Sequence, residues 1–189
     1  MMIHLELKFQ PVTPSRWKDL EDLFGARGAC GGCWCMTWRL ERAVFEKQKG
    51  AANKRTLKKI VDKGPPPGVL AYYKGHAIGW CAVAPRSEYP ALERSRVLKP
   101  IDDQPVWSIS CIFVRKEFRR KNISTELIKA AVNLAKKHGA KIVEGYPQEP
   151  KNDLPDPFVW TGLTPAYIKA GFVEAHRFSP VRPIMRCVL

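Results

Sequence analysis

At 189 residues, with 45% apolar and 26% charged residues, the chain is long enough to bury one core without disulfides. No window approaches the roughly 18 consecutive apolar residues of a membrane helix. The formal net charge of +14 favours an anionic partner, whether nucleic acid, an acidic surface or a nucleotide cofactor, but the lysines and arginines are dispersed from Arg16 to Arg186, so charge alone does not choose among them.

The N-terminus alternates apolar and polar residues from Met1 to Phe9, which predicts a strand over Ile3–Gln10 and not a secretory signal, and hence a cytoplasmic location. Thr13-Pro14 offers a helix start, and Trp17, Leu20, Leu23 and Phe24 recur at helical spacing before Gly25. Arg27 to Trp38, rich in glycine, cysteine and tryptophan, fits neither period and reads as an ordered loop. A second helix is predicted from Glu41 to Asp62, stopped by Gly64-Pro65-Pro66-Pro67.

Val69–Tyr73 and Ala77–Val83 flank Lys74-Gly75-His76 and predict a hairpin. The polar connection Pro85–Gln104 is long enough to suggest service to a site. Val106–Val114 is apolar on both faces and belongs in the middle of a sheet. A basic turn, Arg115–Lys121, leads to a helix over Ser124–His138 with a stripe of Leu127, Ile128, Ala131, Leu134 and Ala135, and then to a strand over Ala140–Tyr146, a unit whose crossover should be right-handed. After a proline-rich loop, Pro147–Pro157, come a short helix, Thr161–Ala170, and strands at Phe172–Phe178 and Ile184–Leu189. With no repeat or second core, residues 1–189 predict one α/β domain around a mixed sheet.

The sharpest feature is the turn Val114–Ser124, between a buried strand and a helix N-terminus, where unpaired N–H groups and positive charge suit a phosphate. Read locally, it is either that or a basic surface turn. Its spacing resembles the pyrophosphate loop of GNAT acetyltransferases, with Val114, Arg119, Asn122 and Ser124 at the matching positions. The two small-residue positions lack glycine; Asn tolerates a left-handed backbone best among the other residues, and Ser is small. Tyr167, three residues before Gly171-Phe172, is similar to a second segment of that family.

The resemblance implies a single GNAT-like domain with a central, mostly antiparallel mixed sheet flanked by helices, acetyl-CoA as cosubstrate and CoA as product. It implies cofactor contacts from Arg119, Arg120, Lys121, Asn122, Ile123 and Ser124, and main-chain pairing of the pantetheine arm with the Ile112–Phe113–Val114 strand. It also implies acetyl transfer to a primary amine by direct attack, with Tyr167 protonating the departing thiolate. Dimerisation is a common property of that family. For the general base, Val106–Val114 holds no acid, and Glu144 on the following strand is the nearest carboxylate.

Cys30-Gly31-Gly32-Cys33-Trp34-Cys35 has the two-residue spacing of half a zinc site, but the isolated histidines His4, His76, His138 and His176 complete no ligand set, so no metal is expected. Reactive or acceptor-binding thiols and a simply packed loop remain open for it. In the family reading this loop lies where acceptors bind, with Trp34, Met36 and Trp38 as lining. Cys81, Cys111 and Cys187, in apolar runs, read as reduced core residues. The competing functions are a basic nucleic-acid-binding module, disfavoured because Trp80, Trp107 and Phe113 lie in apolar runs and not on an exposed stacking sheet, and an inactive CoA-binding regulatory domain. A basic protein should repel polyamines, and the two long loops suggest an enclosed pocket for a small-molecule amine.

Overall fold

The computed structural model describes residues 6–149 and 159–189, so the first residues of the expected strand Ile3–Gln10 and most of the expected loop Pro147–Pro157 lie outside the described residues. The described residues build one α/β domain on a seven-stranded sheet. Strand β1 is Lys8–Pro11 and helix α1 is Trp17–Phe24, entered through a 3-10 turn at Pro14–Arg16. Thr13 makes no cap bond to that turn; its hydroxyl lies instead 2.9 Å from the Ser15 hydroxyl.

The single helix expected from Glu41 to Asp62 is two, α2 at Arg42–Gln48 and α3 at Ala51–Lys63. Gly50 takes a φ of 86° between them, and its N–H donates to the Gly32 carbonyl at 2.9 Å. A side chain at Gly32 would place its Cβ 2.5 Å from the Gly50 nitrogen, so the cysteine loop docks backbone to backbone on the helix break. A tertiary contact sets this break, with Gly50 as the residue that can accommodate it.

Strands β2 (Gly68–Tyr73) and β3 (His76–Pro85) form the expected hairpin, with positive φ at both Lys74 and Gly75 as a tight two-residue turn requires. Strand β4 is Trp107–Val114, α5 is Ile123–Lys137 and β5 is Ile142–Gly145, followed by α6 (Thr164–Lys169), β6 (Val173–Arg177) and β7 (Pro183–Val188). The sheet order is β1-β2-β3-β4-β5-β7-β6, and among these described strands only the β4–β5 pair is parallel. That pair joins Trp107–Ile109 to Val143–Gly145 and stops there, while β4 stays paired with β3 to Val114. The sheet therefore opens along the outer half of β4.

Apolar layers cover both faces. The five-residue stripe of α5 is wholly buried, packing with Val143 and Met185, while Leu20, Leu57 and Trp80 lie on the α1–α3 side. Burial of each such leucine or isoleucine side chain contributes roughly 1.5–3 kcal/mol. Cys81 and Cys111 are buried as expected, but Cys187 on β7 is only partly so.

The connection Pro85–Gln104, expected to wall a pocket, serves the core instead. It holds a 3-10 turn at Arg86–Glu88 and a short helix, α4, at Pro90–Glu93. The buried Arg86 guanidinium donates to the Leu98 carbonyl at 2.7 Å and the Tyr146 hydroxyl at 2.8 Å, and pairs with Glu93 and with Glu144. A buried cation persists only with such partners, so this loop is tied down over the sheet end.

Candidate active site

The basic turn takes the left-handed step expected at Asn122 and a second positive φ, at Arg120, that the sequence did not indicate. Arg120 and Asn122 adopt φ values of 60° and 61°, Asn122 in the left-handed helical region, and α5 begins at the next residue. Arg119 Nε donates to the Val114 carbonyl at 3.0 Å, fixing the arginine against the end of β4. Ile123 is buried and anchors the first turn of α5, whose N-terminus faces a cleft of about 800 Å³. Eight of the nine residues expected to contact a cofactor line this cleft: Ile112, Phe113, Val114, Arg119, Arg120, Asn122, Ile123 and Ser124. Lys121 does not, because its amine folds back onto the Glu117 carbonyl at 3.0 Å.

The opposite wall is the segment 159–163 with Ala166 and Lys169 of α6. Here the structure shows something the sequence did not indicate. The Ile112 N–H, on the edge of β4 that has left β5, donates to the Trp160 carbonyl at 2.7 Å. One residue on, the Thr161 carbonyl accepts the Tyr167 hydroxyl at 3.0 Å. Tyr167 is fully buried, one layer behind the cleft surface formed by Ile112 and Gly162, and burial holds its phenol pKa well above the ordinary value.

Glu144 lines neither this cleft nor the adjoining cavity. Its buried carboxylate accepts from Tyr146 Oη at 2.7 Å, Arg186 Nε at 2.8 Å and Arg86 NH1 at 3.3 Å, and Arg186 extends the network to Asp102 at 2.6 and 2.8 Å. The structure thus keeps the two residues expected to move protons apart: Tyr167 under the cleft floor, Glu144 in an ionic network.

A second cavity of about 300 Å³ joins the cleft at Ile112, Phe113, Trp160 and Cys30. Of the three side chains expected as acceptor lining, Trp38 lines it, 5.8 Å from the Trp160 ring. Trp34 and Met36 lie in the core beneath; the Trp34 ring stacks on Trp17 at 6.0 Å. The cysteine loop supplies Cys33 and Cys35, and β4 supplies Cys111. Among the described residues no group of ligands suited to a metal ion is present.

Cys35 is held in a polar setting within this apolar wall. Its thiol pKa is lowered first by the Cys111 thiol hydrogen bond, then by the Trp80 indole N–H, which donates to Cys35 Sγ at 3.3 Å, and by the nearby Arg39 charge, against the opposing effect of burial. Cys111, the other thiol of that contact, is shifted upward by the Cys35 thiol and by burial. Sequence reasoning missed Trp160, Phe45 and Cys111 as lining; each stands alone in its segment, and only the fold brings them together.

The GNAT acetyltransferase family model matches residues 34–153. Solved structures with similar folds include a GNAT-family acetyltransferase from Streptococcus agalactiae (13% identity, 99% of this chain and 98% of that one, TM-score 0.56). Others are the paia N-acetyltransferase of Thermoplasma acidophilum in complex with coenzyme A (16%, 98% and 100%, TM-score 0.53) and Arabidopsis thaliana NAA60 in complex with acetyl-CoA (14%, 97% and 99%, TM-score 0.52). Among curated proteins, no sequence matches significantly. No helix of the described residues is long and apolar enough to cross a membrane.

Proposed function

The chain belongs to the GNAT acetyltransferase family, and from that premise we propose that it moves an acetyl group from acetyl-CoA to the primary amine of a small molecule. The observation that carries this reading is the opened sheet: β4 turns an N–H edge toward a cleft that ends at the basic N-terminus of α5. The residues present fit the cosubstrate. Arg119, Arg120 and the first N–H groups of α5 would hold its pyrophosphate, and the left-handed Asn122 gives the turn its shape without glycine.

Bound acetyl-CoA supplies an acetyl thioester. The Ile112 N–H is the main-chain donor at the junction of the two cavities, placed to pair with the pantetheine arm or to stabilise charge developing on a carbonyl oxygen. To do either it exchanges its bond with the Trp160 carbonyl. Tyr167 is assigned as the donor of a proton to the departing thiolate, which requires its hydroxyl to leave the Thr161 carbonyl. The 159–162 segment therefore covers both groups, and its displacement is part of the working cycle. Glu144, with three donors on its carboxylate, is assigned to holding β5, β7 and the Arg86 loop together. Six free thiols fit a cytoplasmic setting.

Charge reversal at Arg119 and Arg120 together is expected to weaken acetyl-CoA binding at least tenfold while leaving the circular dichroism spectrum intact. Unchanged affinity would remove the pyrophosphate from this turn. Release of CoA thiol in the presence of a panel of amines then tests transfer itself.

A further inference from the structure

We infer that the second cavity takes a flat aromatic amine that is uncharged at neutral pH, in preference to an alkylammonium ion. This rests on the acetyl-transfer reading above and names the acceptor class for it. The cavity's lining includes the aromatic residues Trp38, Phe45, Phe113 and Trp160 together with the cysteines Cys35 and Cys111. Rings and polarizable sulfurs favour an aromatic occupant through offset, edge-on and sulfur–ring contacts. At about 300 Å³ the space lies at the small end of ligand pockets, which suits one ring with a short substituent.

Charge points the same way. Among the described residues the one charged side chain in the lining is Lys49, whose amine sits 5.5 Å from the Phe45 ring and pairs with Glu46 at 2.5 Å. The Phe45 ring face already has a cation, and among the described residues the lining offers an entering ammonium no carboxylate to replace its hydration. A primary alkylamine, with a pKa near the roughly 10.4 of lysine, is almost wholly ammonium at pH 7. An aromatic amine is neutral, because its lone pair is delocalised into the ring.

Reactivity agrees with recognition. A neutral amine nitrogen can attack without first losing a proton, and neither cavity presents a described carboxylate or imidazole to remove one. The nitrogen forms a bond to the acetyl carbon, the carbon–sulfur bond breaks, and the proton shed by nitrogen ends on the departing sulfur, giving an amide and CoA thiol. The cavities meet at Ile112, so an amine in the second reaches the donor edge of the first.

The test uses two isomers, para-toluidine and benzylamine, which share size and composition and differ in whether nitrogen is bonded to the ring. Binding of each to the protein alone is measured at pH 7 by saturation-transfer NMR, and acetyl transfer to each by thiol release. The inference expects para-toluidine to bind at least tenfold more tightly and to be acetylated with the higher kcat/KM, and expects Phe45→Leu and Trp38→Ala to weaken its binding without changing acetyl-CoA affinity. Equal or stronger binding of benzylamine overturns it, as does acetylation that favours benzylamine. If acetyl-CoA does not bind, the acyltransferase reading fails by itself, and the amine-binding comparison still decides the class of ligand.

Discussion

Tyr167 shows how closely one residue can be tied to its surroundings. A Cβ added at Gly145 would lie 1.9 Å from Tyr167 Cε1, one added at Gly162 would lie 3.0 Å from Cε2, and Phe172 meets the ring edge-on at 5.2 Å. Gly145→Ala must therefore shift the ring or the strand, and is expected to cost about 1–3 kcal/mol in urea unfolding; an unchanged midpoint would mean the ring has slack. Tyr167→Phe keeps the packing and removes only the hydroxyl, and is expected to lower kcat by about 10²- to 10⁴-fold with acetyl-CoA affinity unchanged. An unaffected rate would remove Tyr167 from proton transfer. The resemblance of the segment from Tyr167 to Gly171-Phe172 to a family motif singled this residue out in the sequence. The Thr161 carbonyl that holds its hydroxyl was not, because main-chain partners leave no side-chain signature. Nor was the setting of Cys35, which depends on Trp80 and Cys111 from other strands.

At the scale of elements, the strand, basic turn and helix from Trp107 to Lys137 were readable because local chemistry and tertiary placement agree: an apolar run, then cations, then a 3.6-residue stripe. Asn122 carries the turn in place of glycine. Asn122→Gly is expected to keep the fold and the cofactor affinity, whereas Asn122→Val, forced to the same left-handed backbone, should lose about 1–2 kcal/mol of stability and weaken acetyl-CoA binding. Equal behaviour of the two variants in thermal unfolding and titration would show that the turn does not need this conformation. The break between α2 and α3 was missed because the residues around Gly50 tolerate a helix locally; the Gly32 contact, eighteen positions earlier, breaks it. The role of Pro85–Gln104 was missed for a similar reason, since a buried arginine in a polar loop looks like any surface arginine until its partners are known.

For the whole molecule, strand order and the opening between β4 and β5 bring the cleft, the thiol-lined cavity and Tyr167 together beside the outer half of β4, while the Arg86–Glu144–Arg186–Asp102 network ties β5 and β7 to the Arg86 loop. Arg186 beside Asp102 lowers the latter's pKa to about 2. A depressed carboxylate pKa stabilises the fold above the unfolded value of about 3.9 and loses that contribution as pH falls toward 2. The urea midpoint should therefore drop more between pH 5 and pH 3 for the native sequence than for Asp102→Asn; parallel losses would show that the pair contributes nothing. The net charge of +14 attracts any nucleotide, so only discrimination among anions separates a built site from a basic surface. Calorimetric titration with acetyl-CoA, beside ATP at the same salt, makes that separation directly. One-to-one binding of acetyl-CoA that ATP does not share is the predicted result, and equal, weak binding of both would contradict the assignment of the cleft.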